Sequence, residues 1–156
     1  MKTKDNPGVY IPPPLLYVLL FFLSIYLQKM APLSFRFIDA KLSPILGLIF
    51  ILLGVIIVLP ALVKFFNTKN TLVTIKPANS LQTSGIYSIS RNPMYLALLS
   101  IYTGIAFFKG NDWTFIFIPL VIFTITYLVI IKEENYLKRA FGNEYLVYMK
   151  SVRRWI

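Results

Sequence analysis

The chain has 156 residues, 57% of them apolar and 14% charged, a balance that excludes an ordinary water-soluble domain of this size. Lys and Arg number 16 against six Asp and Glu, for a formal net charge of +10. With no Cys and no His there is no disulfide, no thiolate or imidazole zinc site, no Cys nucleophile and no Ser-His-Asp triad.

Four uncharged apolar runs follow one another, over 8–28, 42–63, 92–108 and 113–131. A helix needs about 20 residues to cross ~30 Å of hydrocarbon. The runs therefore predict an all-α integral membrane protein of about four transmembrane helices, placed near 12–28, 43–65, 93–108 and 113–131, in one domain over 1–156. The first run starts at Pro12-Pro13-Pro14 and is followed by Lys29-Met30-Ala31-Pro32, with no small-residue cleavage site, so it reads as a span and not as a signal peptide. The third is short and is expected to tilt, start deep or cross incompletely.

Basic residues divide unevenly between the two sides. Twelve fall on one: Lys2, Lys4, Lys64, Lys69, Lys76, Arg91, Lys132, Lys138, Arg139, Lys150, Arg153 and Arg154. Four fall on the other: Lys29, Arg36, Lys41 and Lys109. The excess places both termini in the cytoplasm of a bacterial or archaeal plasma membrane, with the bilayer and not a nucleic acid as partner.

Between the second and third runs lies a polar stretch, 79–95, reading Asn-Ser-Leu-Gln-Thr-Ser-Gly-Ile-Tyr-Ser-Ile-Ser-Arg-Asn-Pro-Met-Tyr. Asn92-Pro93 is helix-start chemistry: Asn caps an orphan N–H, and Pro at the first position loses nothing. A helix N-terminus also favours an anion, and Arg91 beside it adds a full charge. Gly85 permits close backbone approach. Tyr87 and Tyr95 read either as site residues or as an interfacial aromatic belt.

After the fourth run come Lys132-Glu133-Glu134. Leu137, Phe141, Tyr145, Tyr148, Val152 and Trp155 then form one stripe on an amphipathic helix at the cytoplasmic surface, broken or bent at Gly142-Asn143. Glu133 shares the face of the stripe and looks inward, whereas Glu134 points about 100° away. The alternative is a solvated pair beside Lys138. Carboxylates at a membrane boundary are costly and mark function by default. The chain holds only Asp5, Asp39, Asp112, Glu133, Glu134 and Glu144, which excludes chemistry that needs several buried acids.

Thr83-Ser84-Gly85-Ile86-Tyr87, Arg91-Asn92-Pro93-Met94-Tyr95, Glu133-Glu134 with Leu137, and Phe141-Gly142-Asn143-Glu144-Tyr145 with Tyr148 together resemble the isoprenylcysteine carboxyl methyltransferase family. That family overlaps in pattern with the phospholipid N-methyltransferases. The resemblance covers about half the chain, from Leu72 to Ile156. It implies a membrane enzyme that moves a methyl group from S-adenosylmethionine to a lipophilic acceptor. Cofactor contacts are then expected from Asn79, Ser80, Leu81, Gln82, Gly85, Tyr87, Asn92, Pro93, Met94, Tyr95 and Glu133. Arg91, Glu134, Arg153 and Arg154 are the candidates for the acceptor side and catalysis. Two positions depart from the pattern. Asn92 replaces the family's His, and Val129 stands where the eukaryotic prenylcysteine enzymes carry an Arg for the substrate carboxylate. Arg153 or Arg154 is the alternative cation. The implied activity is carboxyl methylation of an isoprenylcysteine-like substrate. Phospholipid N-methylation, a non-catalytic lipid-binding protein and a nicotinamide-dependent sterol-type reductase stay open beside it, as does the oligomeric state.

Overall fold

The computed structural model describes residues 6–34, 39–68 and 78–156. Asp5, Lys2, Lys4, Arg36, Lys69, Lys76 and the Leu72 start of the resemblance lie outside the described residues. The described chain is all-α: α1 (Pro13–Met30), α2 (Leu42–Asn67), a 3₁₀ turn (Gly85–Ser88), α3 (Pro93–Lys109), α4 (Asp112–Ile125), a π turn (Thr126–Ile130) and α5 (Ile131–Ser151). Three helices are long and apolar enough to cross a membrane: α1, α2 and the continuous helix from Asp112 to Ser151. The expected third, α3, is a shorter apolar helix of 17 residues, as its short run predicted. The physical reason is local: Pro93 can begin but not continue a helix, and Gly110 ends it in the left-handed region at φ 56°.

The helices invert the usual rule of burial. In α2 the buried residues are Gly47, Gly54 and Ala61, all small and seven apart, while Ile45, Leu48, Leu52, Ile56 and Leu59 are exposed. Against lipid the large side chains need no cover, and the small ones let backbones approach. The approach is to antiparallel α3. A Cβ added to Gly104 would meet the Gly47 carbonyl oxygen at 2.7 Å, and one on Gly54 would meet the Ala97 oxygen at 2.9 Å. Ser100 Oγ donates to the Phe50 carbonyl and Ser43 Oγ to that of Phe107, each at 2.7 Å, so hydroxyls glue the same seam.

Helix α1 closes against α4 and touches α3. Ser24 and Thr114 hydroxyls pair at 2.8 Å inside that contact, and Tyr17 donates its hydroxyl to the Tyr95 carbonyl at 2.8 Å. The core between them is Tyr17, Tyr102, Phe117, Val121, Ile125, Val129 and Ile130. Beyond it the π turn widens the helix just before Glu133, a device often found beside functional sites.

Past Phe141 the helix bends. Gly142 sits at φ 52°, ψ −125°, outside the helical region, in the half of the map that glycine enters without a Cβ penalty. The bend expected at Gly142-Asn143 is therefore present. It turns the apolar stripe inward: Tyr145, Tyr148 and Val152 are buried, with Leu81, Leu137, Phe141 and Met149 packed on them. The stripe covers protein, namely the loop before α3.

Candidate functional site

Three segments meet beside the N-terminus of α3: the loop 78–92, the start of α5, and the strap that follows α5 from Val152. Each is held by identifiable bonds. Ala78 N–H donates to Tyr136 Oη at 2.9 Å, and Tyr148 Oη donates to the Tyr87 carbonyl at 2.5 Å. Lys64 Nζ donates to Ser84 Oγ, fixing the loop to the end of α2. Tyr87 is buried and stacks on Phe65, with centroids 6.0 Å apart and planes 23° from parallel. Burial pushes its hydroxyl pKa well above the ordinary value, so it stays protonated.

The two carboxylates have separate partners. Tyr95 Oη donates to Glu133 Oε1 at 2.7 Å, across from the first turn of α3. Glu134 is only 4% exposed and accepts a bidentate fork from Arg154, Nε to Oε1 at 2.9 Å and Nη2 to Oε2 at 2.7 Å. Arg91 Nη2 lies 3.3 Å from the same Oε1. The Glu134 bond is also the first cause that raises the Arg154 pKa. The expectation that Glu134 points off to solvent or to Lys138 is corrected. The strap folds back over that flank of α5, so both flanks of the helix are covered here.

Backbone bonds complete the knot. Arg91 N–H donates to the Arg153 carbonyl at 3.0 Å, and Asn92 Nδ2 donates to the Arg154 carbonyl at 2.9 Å. Trp155 Nε1 donates to Thr126 Oγ1 in the π turn at 3.3 Å. Asn92 occupies the N-cap position, but its side chain does not cap α3. That expectation fails because the Nδ2 bond to the Arg154 carbonyl holds the side chain toward the strap. Tyr87 and Tyr95 are likewise not an interfacial belt, one being buried on Phe65 and the other bonded to Glu133.

The remaining candidates fall around this centre. Pro93 is buried in the first turn of α3, with Met94 half-buried after it. Gln82 is buried and donates Nε2 to Ser80 Oγ at 2.8 Å; Leu81 packs on the α5 stripe; Asn79 is exposed. Gly85, at φ 68°, opens the 3₁₀ turn. Arg153 reaches the site through its carbonyl, and its residue is exposed. Sequence reasoning missed Ser90, Tyr136 and Thr126. None carries a motif, and each ties its segment to a partner distant in sequence. A cleft of about 450 Å³ opens alongside, lined by Thr83, Ser88, Glu144, Tyr148 and Ser151 among others.

The arrangement can hold a polar, partly cationic ligand. Glu133 is an acceptor whose second oxygen takes no bond from the described residues, and the first-turn amides of α3 have no side-chain cap. Among the described residues no cluster of acids, Cys or His is built for a metal.

No solved structure matches the chain. A Haemophilus influenzae protein described as uncharacterized is 38% identical over 63 residues, 40% of this chain and all of that protein. Protein-S-isoprenylcysteine O-methyltransferase B of Arabidopsis thaliana is 31% identical over 108 residues, 68% of this chain. The chain spans 55% of the plant enzyme's length. The phospholipid methyltransferase family model matches residues 42–144, which takes in α2, α3, α4, the whole polar loop, both site carboxylates and the Gly142 bend. The chain belongs to the phospholipid methyltransferase family, a family of membrane methyltransferases.

Proposed function

We propose that the protein transfers a methyl group from S-adenosylmethionine to a lipophilic acceptor drawn from the bilayer. The observation that carries this reading is the Glu133–Tyr95 pair set against the uncapped start of α3. A carboxylate acceptor beside free amide donors suits a ligand with hydroxyls, an ammonium and a carboxylate. When bound, the cofactor supplies an already activated methyl group, so the protein has little acid–base work to do. What its residues contribute is alignment and exclusion of water, and a chain without His is equipped for that.

The test is calorimetry on the purified protein in detergent. S-adenosylhomocysteine should bind and NADPH should not. Binding of NADPH with no response to S-adenosylhomocysteine would discard the methyltransferase reading in favour of a reductase.

For the acceptor we favour a prenylcysteine-like carboxylate, supported by the named activity of the plant relative. Such a carboxylate is ionised at neutral pH and needs no base. Because the Arg154 guanidinium is occupied by Glu134, Arg153 is the one of these two alternative cations that stays available for a substrate carboxylate. A planar fork grips a carboxylate better than a point charge. Arg153→Lys should then lower methylation of a prenylcysteine acceptor while leaving cofactor affinity unchanged. Methylation of an ethanolamine lipid instead, indifferent to Arg153→Lys, would support the second reading, which the family description favours.

We also propose that the site faces the cytoplasm, where the cofactor is made, in line with the twelve-to-four split of basic residues. Reporter fusions after Ile156 should report a cytoplasmic location. An external location would part the site from its cofactor and overturn this orientation.

A further inference from the structure

We propose that Arg154 is a positioning residue for the cofactor site. It balances Glu134 and ties the strap to Asn92, so that Glu133 alone is offered to the ligand. This rests on the reading of the site as one for S-adenosylmethionine.

The argument starts from charge. Four ionisable groups meet here, Arg91, Arg154, Glu133 and Glu134, and their formal charges cancel. Glu133 and Glu134 are neighbours in sequence on one helix, and Glu134 is nearly sealed from water. A carboxylate so buried is tolerated only when paired and hydrogen-bonded. Arg154 provides two of the three close contacts to it, at 2.9 and 2.7 Å, whereas Arg91 stands at 3.3 Å. With Arg154 removed, two carboxylates would share one cation. Arg91 would be drawn between them, and Glu133 would be less available to a ligand ammonium or hydroxyl.

The same residue acts a second way. Its carbonyl accepts from Asn92 Nδ2 at 2.9 Å and from Ser90 Oγ at 3.4 Å, and the preceding carbonyl accepts from Arg91 N–H. Asn92 directly precedes the first turn of α3, which carries Tyr95. The guanidinium therefore anchors on α5 a strap whose backbone sets the approach to α3. One side chain holds Glu133's helix and Tyr95's helix in register. This also gives Asn92 a task that requires no titration: an amide donor to a carbonyl, which Asn always supplies.

The experiment measures S-adenosylhomocysteine affinity and thermal stability in detergent for four proteins: wild type, Arg154→Gln, Arg154→Lys, and the double variant Glu134→Gln with Arg154→Gln. Affinity is read well below each melting point, so a purely architectural role would lower stability and leave affinity alone. Arg154→Gln should weaken binding about ten-fold, on the scale of a lost charge-assisted contact. Arg154→Lys should fall between, since one ammonium restores the charge but not the fork. The double variant should bind more tightly than Arg154→Gln, because one carboxylate and one cation then remain, and Arg91, kept against the amide oxygen at position 134, is no longer shared between two carboxylates. If Arg154→Gln does not fold, Arg154→Lys against wild type carries the comparison, with weaker binding expected from the loss of the fork without the loss of charge. Equal affinity across all folded proteins would overturn the proposal while leaving the cofactor reading intact. Absence of binding to the wild type would overturn the cofactor reading, and this inference with it.

Discussion

Glu133→Gln is expected to weaken S-adenosylhomocysteine binding ten-fold or more. The carboxylate accepts from Tyr95 with one oxygen, and its other oxygen takes no bond from the described residues. A hydrogen bond donated to an ionised acceptor contributes about 1.5–3 kcal/mol, and 1.4 kcal/mol is about one decade in affinity. Glutamine preserves the shape, keeps one carbonyl oxygen and removes the charge, so the loss reports the ionised acceptor. Tyr95→Phe should cost less, because it removes the donor that orients Glu133 and leaves the carboxylate. Titration by calorimetry of wild type, Glu133→Gln and Tyr95→Phe settles the order. Indistinguishable affinities would place the cofactor elsewhere, with the cleft beside Glu144 the next place to look.

Gly104→Val should destabilise the protein by about 1–3 kcal/mol, the usual cost of forcing atoms into a filled core. The first carbon alone would lie 2.7 Å from the Gly47 carbonyl oxygen and 2.7 Å from Ile51 Cγ1. Backbone cannot move aside as a side-chain tip can, so α2 and α3 would have to part. Parting them would lengthen the Ser100–Phe50 and Ser43–Phe107 bonds as well. Thermal melting in detergent should show a drop of several degrees. An unchanged melting temperature would mean that α2 and α3 do not pack through this seam.

The contrast between what the sequence discloses and what it hides is instructive. The apolar runs mark α1 to α4, because a span must satisfy its backbone internally and carry lipid-compatible side chains. Pro93 and Gly142 mark a start and a bend, because each restricts or frees its own φ. These are local causes, legible one residue at a time. Glu134 is different. Its neighbours in sequence suggest Lys138, but its partners are Arg91 and Arg154, and only chain reversal after Ser151 brings the latter near. Asn92 misleads for the same reason: its type predicts a cap, and a carbonyl 62 positions later takes its amide instead. The π turn had no compositional mark in an unbroken apolar run. The resemblance named residues that the structure brings together, because it rests on joint spacing, which records contacts that composition does not.

The knot at Glu134 also sets an order of events during synthesis. Its members enter the chain at 91, 134 and 154, so the two inner groups exist long before the last. While α1 to α4 are being threaded into the bilayer, Glu134 has only Arg91 to answer it, and the strap that secures Asn92 has not been made. Long-range contacts close late because the loop entropy must be met first. The site therefore closes only after residue 154 has joined the chain. A chain cut before that residue would leave Glu134 with Arg91 alone and the Asn92 amide without its carbonyl partner.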